Sequence, residues 1–239
     1  MGDMDGAADL NLPDNNAKPF YAKRISAAII AFLGWFALGT EFYFHIEEAL
    51  TRNESVTSHL VQFFSYFTTE TNVAITVVAS IAATAPQAEQ IQVRPSLRSA
   101  LVIYVVVVGL VYAALLRHLW HPQGAQLLAD IVLHDVIPFF YPMFWLAFLP
   151  KGSLRWTDPL IWLIYPILFF VYSMARGIAF GIYPYPFIDA EKLGIERVSL
   201  NAFGLLAVFF GLGVILTAVD HALSPVARSR SGLGRAAEL

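Results

Sequence analysis

The chain of 239 residues contains no cysteine. This excludes disulfides, thiolate metal sites and cysteine catalysis, and it leaves the redox compartment undecided. Charge is also scarce. Only 14% of residues are charged, against roughly 25% in a soluble domain. The net charge of −3 gives no general nucleic-acid-binding surface. Neither an HExxH zinc signature nor a GxSxG elbow occurs. No cleavable signal peptide is expected: Lys18, Lys23 and Arg24 lead into a long apolar run without a small-residue cleavage pattern. Gly6 stands where a myristoylation signal needs Ser or Thr.

What is present is apolar, 57% of all residues. Six segments have the 20 or so mostly apolar residues a membrane span needs: about 25–46, 60–84, 99–117, 127–149, 159–181 and 200–222. Short connections such as "HPQG" and "PKGSLRWTDP" separate them. The expected fold is all-α, one integral membrane bundle of six transmembrane helices over 23–223. A disordered N-tail (1–22) precedes it and a basic C-tail (224–239) follows. The N-tail, second and fourth loops and C-tail hold ten Lys and Arg; the opposite loops hold Arg52, Arg117, Lys192 and Arg197. The positive-inside rule then puts both termini in the cytoplasm. The expected location is a bacterial inner (plasma) membrane, multi-pass, with lipids as neighbours.

Polar groups interrupt this pattern. "YFTTETN" puts Thr68, Thr69, Glu70, Thr71 and Asn72 inside the second segment. With a helical rise of 1.5 Å per residue, Thr68 lies roughly 12 Å below its outer end. His134 in the fourth segment lies at roughly 10–11 Å, and Glu41 at about 8 Å with Arg176 at a similar depth. Glu70, Asn72, Asp130 and Asp135 fall in the same slab. Isolated charges in lipid are costly, so these groups are expected to face one another in a polar cavity. The candidate pairs are Arg176 with Glu41 or Glu70, and His134 with Asp130 one turn earlier. The plain alternative is a set of structural pairs that fix helix packing.

A hydroxyl beside an imidazole is the minimum nucleophile–base pair, which singles out Thr68 and His134. A membrane-helix Thr more often bonds back to its own helix, and a lone buried His is more often structural. Asn72 shares the face of Thr68 and is a candidate oxyanion donor. Pro138 frees the carbonyl of His134, so a kink is expected just inward of it. His134 is the only deep histidine, so no b-type haem pair forms. His118 and His121 in "HLWH" are weak metal candidates. No cofactor is called for, and no metal site is assigned. Matching broken helices in two repeats, the pointer to a transporter, are not found.

The stretches "SYFTTETN", "LHDVIPFFYPMFWLAFLP", "YPILFFVYSMARG" and "YPYPFID" resemble the bacterial six-span Pro-six-Pro integral membrane family. That family is similar, more distantly, to the eukaryotic androgen-induced-gene proteins. These are multipass hydrolases that cleave fatty acid esters of hydroxy fatty acids with a membrane Thr and His. The resemblance implies Thr68 as nucleophile, His134 as base and a lipid ester as substrate. Glu70 and Asp135 are additions around the two positions. The expectation is thus an intramembrane lipid-ester hydrolase, with Asp130 orienting His134 and with Asn72, Glu70, Arg176 and Glu41 in support. The alternative is a non-enzymatic membrane binder or transporter of a lipid or small solute. Oligomeric state is not readable from the sequence.

Overall fold

A computed structural model describes residues 17–85 and 93–225. The tail residues 1–16 and 226–239 lie outside that description, as does 86–92 in the second loop. Every described element is a helix. α1 (Ala17–Thr51) is longer than the segment expected from hydropathy. At 1.5 Å per residue it extends about 50 Å, beyond a hydrocarbon core of about 30 Å. The chain reverses at Arg52–Ser55, where Asn53 takes a left-handed φ of 56° that Asn tolerates.

The second segment departs from expectation. It is two helices, α2 (Val56–Phe63) and α3 (Phe67–Thr84), broken at Phe64–Tyr66. Ser65 Oγ lies 2.7 Å from Tyr172 Oη, and Tyr66 is extended with ψ 130°. The polar run is therefore the first turn of a new helix. There Thr68 and Thr69 sit among the first backbone N–H groups, which have no intrahelical partner, and the acidic Glu70 suits the helix N-terminus.

α4 (Pro95–Val111) begins on a proline and passes into a π turn at Tyr112–Leu116. α5 (Gly124–Ile131), a π turn at Val132–Val136 and α6 (Ile137–Phe148) form one rod. Pro138 cannot donate to the His134 carbonyl, and the chain answers with a widened turn. α7 (Asp158–Trp162) and α8 (Ile164–Phe180) follow. Pro166 leaves the Trp162 carbonyl without its helix donor, and Tyr104 Oη donates to it at 2.7 Å. After Gly181 the chain makes a 3₁₀ turn at Pro186–Ile188, then α9 (Ala190–Leu193) and α10 (Ile195–Ala222). Asp220 of α10 accepts from the Gly152 and Leu154 N–H groups at 2.9 and 3.0 Å, which closes the loop between α6 and α7.

Five helical segments are long and apolar enough to cross a membrane: Phe20–Thr51, Pro95–Leu116, Gly124–Phe148, Asp158–Phe180 and Ile195–Ala222. Neither α2 nor α3 is in that set: α2 is 8 residues long, and α3 carries the polar run. α1 packs along α3 and against the α5–α6 rod; α4 packs on α6, α3 and α10; α10 also packs on α7. Gly34 permits the tight α1–α3 approach: a Cβ there would meet Thr76 Oγ1 at 2.0 Å. Outward faces stay apolar, with Phe32, Ile178, Phe180 and Phe203 all more than 70% exposed. A helix bundle that is apolar outside as well as inside fits a multipass membrane protein.

Candidate functional site

The expected polar residues fall into separate groups. The first joins α1, the end of α4 and α5. His134 Nδ1 lies 3.1 Å from Asp130 Oδ1 and 3.0 Å from the Asp130 carbonyl. Both partners accept, so Nδ1 carries a proton. The imidazole stacks on Tyr112, with centroids 3.9 Å apart and planes at 17°. Tyr112 Oη donates to the other Asp130 oxygen. Arg117 pairs with Asp135 and lies 5.0 Å over the Tyr112 ring. Gln126 Nε2 reaches Glu41 Oε2 at 3.5 Å.

The second group surrounds the start of α3. Thr68 occupies its first turn, and the Thr68 N–H donates to Tyr185 Oη at 3.4 Å. Thr68 and Tyr185 border a cavity of about 370 Å³ between α3, α4, α8 and α10. The walls are otherwise almost wholly apolar, with Val111, Phe170, Phe203 and Leu206 among them. Phe67 floors this region, its ring 4.9 Å from Tyr165 and 5.2 Å from Phe169. Tyr165 Oη donates to Glu70 at 2.7 Å. Burial pushes the Tyr185 phenol up to about 12, so it stays protonated at any physiological pH. Lys192, bonded to Asp189, holds that carboxyl below its usual value, which helps fix the loop that carries Tyr185.

Asn72 stands between the two groups. Its Nδ2 donates to the Thr68 carbonyl at 2.9 Å and to the Leu133 carbonyl at 3.4 Å. The amide is thus spent on backbone that ties α3 to the π turn, rather than held ready for an oxyanion. Among the described residues, no hydrogen bond joins Thr68 to His134. The pairing expected for Arg176 is also replaced. Glu41 holds Gln126 and Glu70 holds Tyr165, while Arg176 turns toward α2 and lines a different cavity with Ser55, Ser58 and Tyr172. Arg176 is 8% exposed, and its Nη1 has no partner.

Sequence reasoning missed the tyrosines. Tyr112, Tyr165, Tyr172 and Tyr185 supply most of the hydroxyls that meet the polar groups. The available signal was "YPYPF", which places Tyr185 against Thr68. His118 and His121 are exposed and join no metal-like cluster among the described residues. Comparison with protein-family models, with curated proteins and with solved structures gives no match.

Proposed function

We propose that this protein is a six-span membrane protein that binds a lipid acyl chain in the cavity beside Thr68. The broken pair α2–α3 supplies the sixth crossing, which returns both termini to one side. The observation that carries the reading is the cavity itself. Its volume of about 370 Å³ lies within the range of single-ligand sites. Its walls suit a hydrocarbon chain, and its polar points are few. Thr68, at a helix N-terminus, and the protonated Tyr185 suit a carbonyl or carboxyl oxygen at the head of that chain. The test is lipid retention by the purified protein, measured by native mass spectrometry. Leu206→Trp, which fills the cavity, is expected to abolish retention while the protein still folds. Equal retention by wild type and variant overturns the proposal.

A second reading, hydrolysis of a lipid ester, draws support from one observation: Asp130 holds the His134 ring through Nδ1, the orientation a histidine base needs. In that chemistry Thr68 Oγ attacks the ester carbonyl, His134 takes the hydroxyl proton and returns it to the leaving alkoxide, and water then releases the acid. It requires a closer approach of Thr68 and His134 than their present hydrogen bonds provide. Wild-type turnover of fatty-acid esters that Thr68→Ala abolishes would favour it; absence of turnover leaves the binding reading in place.

A further inference from the structure

The turn between α1 and α2 gathers groups that neither the lipid cavity nor the His134 cluster uses. His45 and Glu48 lie three residues apart on one face of α1. His59 comes from α2, brought back by the reversal at Asn53. One ligand atom from each of His45, Glu48 and His59 lies within 4.8 Å of the others. Four-coordinate zinc, with bonds of about 2.0–2.1 Å, needs neighbouring ligand atoms about 3.3–3.5 Å apart. Small side-chain rotations close that difference.

The hydrogen bonds of the cluster point the same way. His59 Nε2 lies 2.6 Å from Glu54 Oε2, so this nitrogen carries the proton. His59 Nδ1, the other ring nitrogen, is buried and has no partner. His45 Nδ1 is buried without a partner as well. Two unpartnered imidazole nitrogens in one cluster is an expensive arrangement unless something binds them. A carboxylate on the far nitrogen of a histidine is also the usual support of a metal-ligating imidazole. Phe63 and Tyr66 wall the site, with ring centroids 5.4 and 6.3 Å from His45. Arg52 competes by pairing with Glu48 at 2.8 Å, but its side chain is 63% exposed and can swing into solvent.

We propose that His45, His59 and Glu48 form a divalent transition-metal site of the zinc class, with Glu54 orienting His59 and a fourth position open to water. Two imidazoles and one carboxylate without sulfur match that metal class. The ion would clip α1 to α2 and so brace the break that sets the start of α3. The inference is independent of the lipid-binding reading.

The test uses the full-length protein, purified in detergent with a non-histidine affinity tag, stripped with chelator and titrated with Zn²⁺. Competition against a chromophoric chelator gives affinity, and elemental analysis after desalting gives stoichiometry. The expected result is one zinc per chain. His45→Ala is expected to abolish binding and Glu54→Gln to weaken it about 10–100-fold. Glu48→Gln changes only a half-exposed side chain, so it folds regardless, and is expected to weaken binding at least tenfold. A His118→Ala/His121→Ala double variant is expected to bind as wild type does. Absence of stoichiometric zinc in the wild type overturns the proposal. So does unchanged affinity in Glu48→Gln, or loss of binding in the double variant.

Discussion

Tyr104→Phe removes one oxygen from a buried helix contact. Tyr104 Oη donates at 2.7 Å to the Trp162 carbonyl, which Pro166 has deprived of its normal helix donor. Without the hydroxyl that carbonyl is a buried acceptor with no donor, at about 1–3 kcal/mol. Hydrogen bonds between membrane helices average less, about 0.6 kcal/mol and at most about 1.7. The expected loss is therefore about 1–2 kcal/mol. Pro166→Ala restores an N–H four residues after Trp162, so in that background Tyr104→Phe is expected to cost about 1 kcal/mol less. The assay is reversible unfolding in mixed micelles, followed by circular dichroism, across the four-member cycle. If Tyr104→Phe costs the same in both backgrounds, within about 0.3 kcal/mol, the proline-rescue reasoning is refuted.

Gly34→Ala puts a methyl 2.0 Å from Thr76 Oγ1, and thermal unfolding should show a loss of about 1–3 kcal/mol, part of it recovered by adding Thr76→Ala. The lowered Asp189 carboxyl contributes stability that is complete above the ordinary carboxylate range and is lost as pH falls through its depressed folded value. Hydrogen-exchange protection of the 183–194 loop, taken relative to the intrinsic exchange rate at each pH, should therefore be flat from neutral pH to about 5 and fall only in stronger acid. Arg176→Met removes a buried guanidinium with an unpartnered Nη1, and melting should show no loss of stability. A loss of more than about 1 kcal/mol would mean that Arg176 holds a partner after all.

The helices were legible because a span is written in composition. Expected limits of 99–117, 127–149 and 159–181 meet observed ones of Pro95–Leu116, Gly124–Phe148 and Asp158–Phe180. The break at Phe64–Tyr66 was not, because neither Ser65 nor Tyr66 is a helix breaker; the break is set by tertiary contacts such as Ser65 with Tyr172. Helical rise converts sequence position into depth but says nothing about which neighbour a side chain faces. Thr68 and His134 were read as level, and Arg176 as level with Glu41. The structure gives Thr68, His134 and Glu41 different partners and turns Arg176 toward α2, because azimuth depends on how rods rotate against one another. The His134–Asp130 contact was readable, since both residues lie on one helix, one turn apart. The His45–His59 cluster was hidden for the opposite reason: its members come from two helices on either side of a turn.

The most direct test of acyl-chain binding is photo-crosslinking in vesicles with a fatty acid that carries a diazirine near its methyl end. Digestion and mass spectrometry then map the labelled residues. The account predicts labels concentrated on cavity residues such as Val111, Phe170 and Leu206, lost in Leu206→Trp and displaced by unlabelled fatty acid. Labels spread over outward-facing Phe32, Phe139 and Ile178, with no competition at the cavity, would contradict it.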